Sequence, residues 1–174
     1  EDIFREAGKR IREMARAADS LSVEERIGRV GNIFNSFRNP DKETVLTPWR
    51  VVNMHLSESL GGYAFFDESF DTDRMLESPR LVSRGRLTEK VFSPESRILE
   101  INSKSGLYPL YMAYGIYRAE LKKRFGTMTA TTISVQHKVW DKVIAENIFV
   151  ICKTPMAASI TRRTLMGFRR GTVN

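Results

Sequence analysis

Cysteine and histidine are scarce in this chain: Cys152 stands alone, and His55 and His137 are the only two histidines among 174 residues. One cysteine cannot close an internal disulfide, and neither histidine has a neighbouring cysteine, histidine or paired carboxylate at ligand spacing, so no metal motif is read. The expected setting is reducing and cytoplasmic. Long hydrophobic runs are missing as well. The longest apolar stretch, Leu107 to Tyr117, contains Pro109 and is too short to span a bilayer, so no membrane helix is predicted. Glycine is thin where a phosphate loop would need it. Ser103-Lys104-Ser105-Gly106 lacks the preceding glycines of that motif, which excludes a nucleoside triphosphatase of the phosphate-loop type.

What is present suits a globular protein. At 41% hydrophobic residues the chain is long enough to bury one proper core. The 28 Lys and Arg against 21 Asp and Glu leave a net charge of +7, with cations bunched at Arg5 to Arg16, Lys122 to Arg124, Arg162-Arg163 and Arg169-Arg170. Such clusters suit a polyanion such as DNA; the same pattern also describes an ordinary solvated face. The chain opens on Glu1 and closes on Asn174, and we read it as a piece of a longer protein.

Residues 1 to 20 read as a basic amphipathic helix, with Ile3, Phe4, Ala7, Ile11, Met14, Ala15 and Ala18 at helical spacing. Ser22 with Glu25 three residues later forms a capping box for a second helix. Its stripe of Val23, Ile27, Val30, Phe34 and Phe37 is expected to stop at Asn39-Pro40. A third helix is expected from Thr47 as the N-cap and Pro48 as its first residue, ending at Gly61-Gly62. Tyr63 to Phe66 reads as a short packed insertion, Asp67 to Asp73 as an acidic surface loop, and Arg80 to Phe92 as a strand or hairpin turning near Gly85.

The parallel-sheet signal begins at Ile98-Leu99-Glu100-Ile101. A polar turn follows, and a helix runs from Leu107 to about Arg124 with Tyr108, Tyr111, Tyr114 and Tyr117 along one flank, read as core or interface packing with base stacking as the alternative. Beyond a threonine-rich loop, Thr127 to Thr132, come a helix over Val135 to Ala145, a strand over Asn147 to Cys152, and a helix from Met156 to about Phe168. Strands alternating with helices predict an α/β fold with a parallel sheet. A strand end feeding a helix through a tight turn places backbone N–H groups and the positive end of the helix around a ligand, and Gly106 lets the chain approach it closely.

Three segments in order, Leu46-Thr-Pro-Trp-Arg-Val-Val-Asn-Met-His-Leu56, Ile98-Leu-Glu-Ile-Asn-Ser-Lys-Ser-Gly106-Leu-Tyr and Asn147-Ile-Phe-Val-Ile-Cys-Lys-Thr-Pro155-Met-Ala-Ala, resemble the adenine-specific DNA methyltransferases of restriction-modification systems. The resemblance covers roughly residues 44 to 168. It implies a helical lead over 1–43 and, over 44–174, part of the Rossmann-like methyltransferase fold, binding S-adenosylmethionine at the carboxyl ends of the strands. Carried over, it implies that Thr47 and Pro48 border the methionine part of the cofactor. Glu100, Asn102, Ser103, Lys104 and Gly106 would hold its amino-acid end, with Cys152 and Thr154 near the ribose.

The departures are specific. Lys104 replaces the first glycine of the family's Gly-x-Gly turn, Glu100 replaces the usual Asp, and Val150 replaces a glycine on the second strand. Cys152 stands where an acid accepts hydrogen bonds from both ribose hydroxyls, a task for which a thiol is poorly suited. The family's Asn-Pro-Pro-Tyr run, which grips a flipped adenine, is absent; Asn39-Pro40-Asp41 is the only Asn-Pro. The resemblance therefore implies an enzyme in the parent protein, with duplex DNA as substrate, and no methyl transfer by this chain alone. The alternative is a non-catalytic methyltransferase-like module for DNA or subunit binding. A sheet lacking later strands would leave an open edge, from which self-association is expected.

Overall fold

The computed structural model describes residues 2–37, 46–126 and 132–174. Along the chain run α1 (Asp2–Ala18), α2 (Val23–Asn35), α3 (Trp49–Ser59), β1 (Gly62–Ala64), β2 (Arg80–Val82), α4 (Arg86–Val91), β3 (Ile98–Ile101), α5 (Leu107–Phe125), α6 (Ile133–Asn147), β4 (Ile148–Ile151) and α7 (Pro155–Met166). The fold is mixed, with helices and two small two-stranded sheets, in keeping with an α/β class. β3 and β4 pair in parallel, Ile98 opposite Ile148 and Ile101 opposite Ile151, while β1 and β2 pair antiparallel. No described helix is long and apolar enough to cross a membrane.

α5 is the centre. Apolar on all sides from Leu107 to Tyr117 and charged only towards its end, it packs against α3, α6, α7, β1 and both parallel strands. Tyr111, Tyr114 and Tyr117 are buried, which bears out the packing role read for them. Each hydroxyl meets a different fate: Tyr111 donates to the Gly61 carbonyl at 2.7 Å, Tyr114 donates to Glu24 at 3.0 Å, and the Tyr117 hydroxyl has no hydrogen-bond partner. Gly115 is dictated by Phe92, whose ring would lie 2.2 Å from an added Cβ.

The helical lead is packed onto this body rather than standing apart. Val23, Ile27 and Val30 lie in the same core as α5. The Ser22–Glu25 capping box forms as read. Arg26, buried against α7, donates to the carbonyls of Thr164 at 2.9 Å and Arg163 at 2.7 Å, with Asp19 3.5 Å from its Nε. Asp19 also accepts the Phe168 N–H at 2.8 Å, and its carboxylate fills the space that a Cβ at Gly167 would need.

Local differences from the sequence reading have local causes. Pro48, with ψ 149°, is the N-cap of α3, not its first residue: its carbonyl accepts the Val52 N–H at 3.0 Å while its own dihedrals stay extended, and Thr47 makes no cap. Of the strand or hairpin expected over Arg80 to Phe92, the strand forms as β2, while the second arm of a hairpin is replaced by α4. β2 finds its partner upstream in β1. Gly85, at φ 64°, then opens α4, where the Thr88 hydroxyl accepts the Arg84 N–H and donates to the Leu60 carbonyl. α6 begins two residues earlier than expected, at Ile133, because Thr132 caps it by accepting the Val135 N–H. The stop at Asn39-Pro40, the boundary at 43/44 and most of the 127–132 loop lie outside the described residues.

One face of the parallel pair is covered by α5. On the other, Leu99, Ile101 and Ile151 are exposed. The outer edge of β4 is met by the end of the chain, where the Asn174 carbonyl accepts the Val150 N–H at 3.0 Å; among the described residues no further strand pairs with β3.

Candidate functional site

β3 delivers Glu100 and Ile101 into a turn that reverses in five residues. Asn102 takes φ 66°, a left-handed conformation that asparagine tolerates, and Gly106 at φ 79° starts α5. Ser103 is fully buried: its N–H donates to the Ile151 carbonyl at 2.9 Å, extending the parallel ladder, and its hydroxyl lies 3.0 Å from that of Thr161. The Thr164 hydroxyl donates to the Ser105 carbonyl. A Cβ at Gly106 would stand 3.1 Å from both the Thr161 Cα and the Thr164 Cβ, so glycine here serves the close approach of α7 as well as the positive φ. The turn is thus clamped to α7.

Cys152, just beyond β4, is half-buried, with its Sγ 3.8 Å from the same Thr161 hydroxyl. Thr161 therefore joins the ends of both parallel strands. The sequence reading missed it and Thr164. The only signal was a pair of threonines at i, i+3 on a helix face shared with Leu165. Thr161→Val keeps the shape and deletes the hydroxyl, removing one of the two side-chain partners of the buried Ser103 hydroxyl, which keeps its bond to Glu100; we expect a loss of about 1 kcal/mol in urea unfolding, with no change in slope.

The remaining predicted residues fall in different surroundings. Lys104 is exposed on the turn. Thr154 is exposed too, and its hydroxyl accepts the Ala157 N–H at 3.1 Å, capping α7 with Pro155 as the first helical residue. Thr47 and Pro48 line a cavity of ≈ 160 Å³ with Phe34, Phe37, Arg50 and Asp73, and none of the turn residues line it. α3 reaches the turn by another route: His55 Nδ1 lies 3.2 Å from the hydroxyl of Tyr108, in the first turn of α5, with the rings edge to face.

Glu100 is the electrostatic oddity. One carboxylate oxygen, Oε2, is fully buried and has no hydrogen-bond partner. Burial raises its pKa above the ordinary glutamate value, partly offset by hydrogen bonding from Ser103. A buried acceptor without a donor is costly unless a ligand supplies one.

Among known protein families, curated proteins and solved structures, none matches this chain. The chemistry of the site rests on its own atoms. Glu100 can accept from an ammonium, the start of α5 carries the positive end of the helix dipole with the Tyr108 N–H as its donor, and Lys104 adds an exposed cation beside it. That combination suits a ligand bearing both an ammonium and a carboxylate. Among the described residues no three His, Cys, Asp or Glu side chains come together as a metal site.

Proposed function

We propose that this chain is the cofactor-binding part of an adenine-specific DNA methyltransferase of a restriction-modification system, built on a Rossmann-like sheet. The observation that carries the reading is the unpartnered Oε2 of Glu100, at the carboxyl end of a parallel strand and beside the start of a long helix. In open α/β sheets that is where ligands bind. The order of the Thr-Pro helix, the strand-turn-helix and the second strand with its Thr-Pro cap supports it further.

In this reading Glu100 accepts the ammonium of the methionine end of S-adenosylmethionine, while Lys104 and the Tyr108 N–H in the first turn of α5 take its carboxylate; Pro109 has no N–H, and the Leu107 N–H is held by the Ser105 hydroxyl. When bound, the cofactor supplies an electrophilic methyl carbon. The chain's own residues orient the amino-acid end; without an Asn-Pro-Pro-Tyr run this chain does not grip an adenine, so binding without methyl transfer is the expected behaviour.

A second reading, a non-catalytic module for DNA or subunit binding, is favoured by one observation: Cys152, in the place of the ribose acid, has its sulfur against Thr161 and is a weak acceptor. Calorimetric titration with S-adenosylmethionine separates the two. We expect binding by the original chain and about tenfold weaker binding by Glu100→Gln, as loss of one charge-assisted hydrogen bond implies. No binding by the original but recovery in Lys104→Gly favours the module. Failure of both overturns the cofactor reading.

A further inference from the structure

The parallel pair of strands is packed on one side only. α5 lies against both strands there, and alternation along β3 sends Ile98 and Glu100 to that side. The other side receives Leu99 and Ile101 from β3 and Phe149 and Ile151 from β4. Leu99 stands opposite Phe149 and Ile101 opposite Ile151, so this face carries two apolar rows. Leu99 is 57% exposed, Ile101 71% and Ile151 53%, with Phe149 half-buried. Parallel sheets are built with both faces packed, and in α/β proteins the element that packs on them is a helix. The three exposed side chains mark the place of a second helical layer that the described residues do not supply.

The free charges at the two ends of this face have one sign. Arg97 precedes β3 in step with Leu99 and Ile101, and Lys153 follows β4 in step with Phe149 and Ile151. Both are exposed, and neither enters an ion pair among the described residues. The acids nearest the strand starts are already taken: Glu95 lies 2.8 Å from Lys123, and Glu146 lies 3.0 Å from Lys142. The segments that leave the strands, 102–119 and 152–174, contain no Asp or Glu. A second copy of the chain laid face to face would set cations against cations in either direction, so the charges favour a different, acidic partner.

We propose that the open face of β3 and β4 is the docking site for an amphipathic α-helix of another protein, with one apolar stripe and an Asp or Glu near each end of it. Arg97 and Lys153 stand about 20 Å apart along the strand direction, at roughly 3.3 Å per residue. A helix covers that length in about fourteen residues. Its anchors at i, i+3, i+4 and i+7 fill the two apolar rows, and its terminal acids meet the two cations. The proposal is independent of the cofactor reading, because Glu100 lies on the opposite side of β3.

The test uses two fluorescein-labelled 18-residue helical peptides with the same leucine stripe, one with Glu and one with Lys at both ends of the stripe, about fourteen residues apart, and fluorescence anisotropy with the whole chain. Binding of the Glu peptide about tenfold more tightly than the Lys peptide is expected, since two rim charge pairs supply a difference of that size. The Ile101→Thr, Ile151→Thr double variant keeps β-branched residues at exposed strand positions, so it should weaken binding of the Glu peptide about tenfold with an unchanged melting temperature. The Arg97→Glu, Lys153→Glu double variant should reverse the preference between the peptides. Equal binding of both peptides, binding of neither, or self-association of the chain that the threonine variant removes would overturn the proposal, the last by naming a second copy as the occupant.

Discussion

Above about pH 10 the protein should unfold in one steep step, driven by three tyrosines that cannot ionise where they are. Tyr111, Tyr114 and Tyr117 are at most 1% exposed, and burial raises each phenol well above its ordinary value of 10. Glu24 adds to the rise at Tyr114 and Tyr117; Arg118 opposes it there, and Arg80 opposes it at Tyr111. In the unfolded chain all three deprotonate near 10. Above that pH the folded state binds more protons than the unfolded state, so stability falls as pH rises. The loss is about 1.4 kcal/mol per pH unit for each group, or about 4 kcal/mol per unit for the three together. That rivals the whole stability of an ordinary domain within two units. Tyrosinate absorbance and helical circular dichroism, followed together, should change in a single coincident transition. Tyr117→Phe removes no hydrogen bond and should reduce the slope by about a third. Tyrosines that titrate near pH 10 while the helical signal persists would refute the argument.

Arg26→Ala is expected to cost about 3–5 kcal/mol, the usual result of breaking a buried ionic cluster from one side. The guanidinium is 6% exposed; burial lowers its pKa and Asp19 pulls it back up. Its removal strands the Asp19 carboxylate and leaves the Thr164 carbonyl without that donor, both at the seam between α2 and α7. Adding Asp19→Asn should recover part of the loss, because no unpaired charge is then left buried, although the Phe168 N–H still needs its acceptor. Denaturant unfolding of the four proteins in this cycle measures the coupling. Strict additivity would mean that the two residues act separately.

Much of the architecture was legible because the responsible residues are close in sequence. The Ser22–Glu25 box, the β3 and β4 strands, the long buried α5 and the proline-led α7 all announce themselves within a few residues. The β1–β2 pair did not. Its strands have three residues each, too few to set up an alternation, and their partners are separated by the acidic loop. The Thr-Pro start of α3 misled by one position, since a proline can serve either as cap or as first residue, and only ψ distinguishes them.

The site divides the same way. Glu100, Asn102 and Gly106 were marked by their place after a strand, and the structure gives each of them an unusual feature: an unpartnered oxygen or a positive φ. Thr161 was invisible, because its role is to touch Ser103 and Cys152, both far from it in sequence or fixed by another element. Lys104, the sharpest departure from the resembled pattern, turns outward from a turn whose neighbours Ser103 and Ser105 are buried, which the one-dimensional pattern does not convey.

The two tryptophans give the chain a pair of built-in optical labels. Trp49 sits among Phe65 and Tyr111 with its indole N–H unbonded, while Trp140 lies beside Tyr117 and donates to the Leu165 carbonyl at 2.8 Å. One samples the layer formed by α3 and β1, the other the layer formed by α6 and α7. An indole in apolar surroundings without a hydrogen bond emits further to the blue than one that has it, so the two signals differ in colour before the protein unfolds. Single Trp→Phe variants would therefore show directly whether the layer beside the Thr-Pro helix and the layer that clamps the turn come apart together or in sequence.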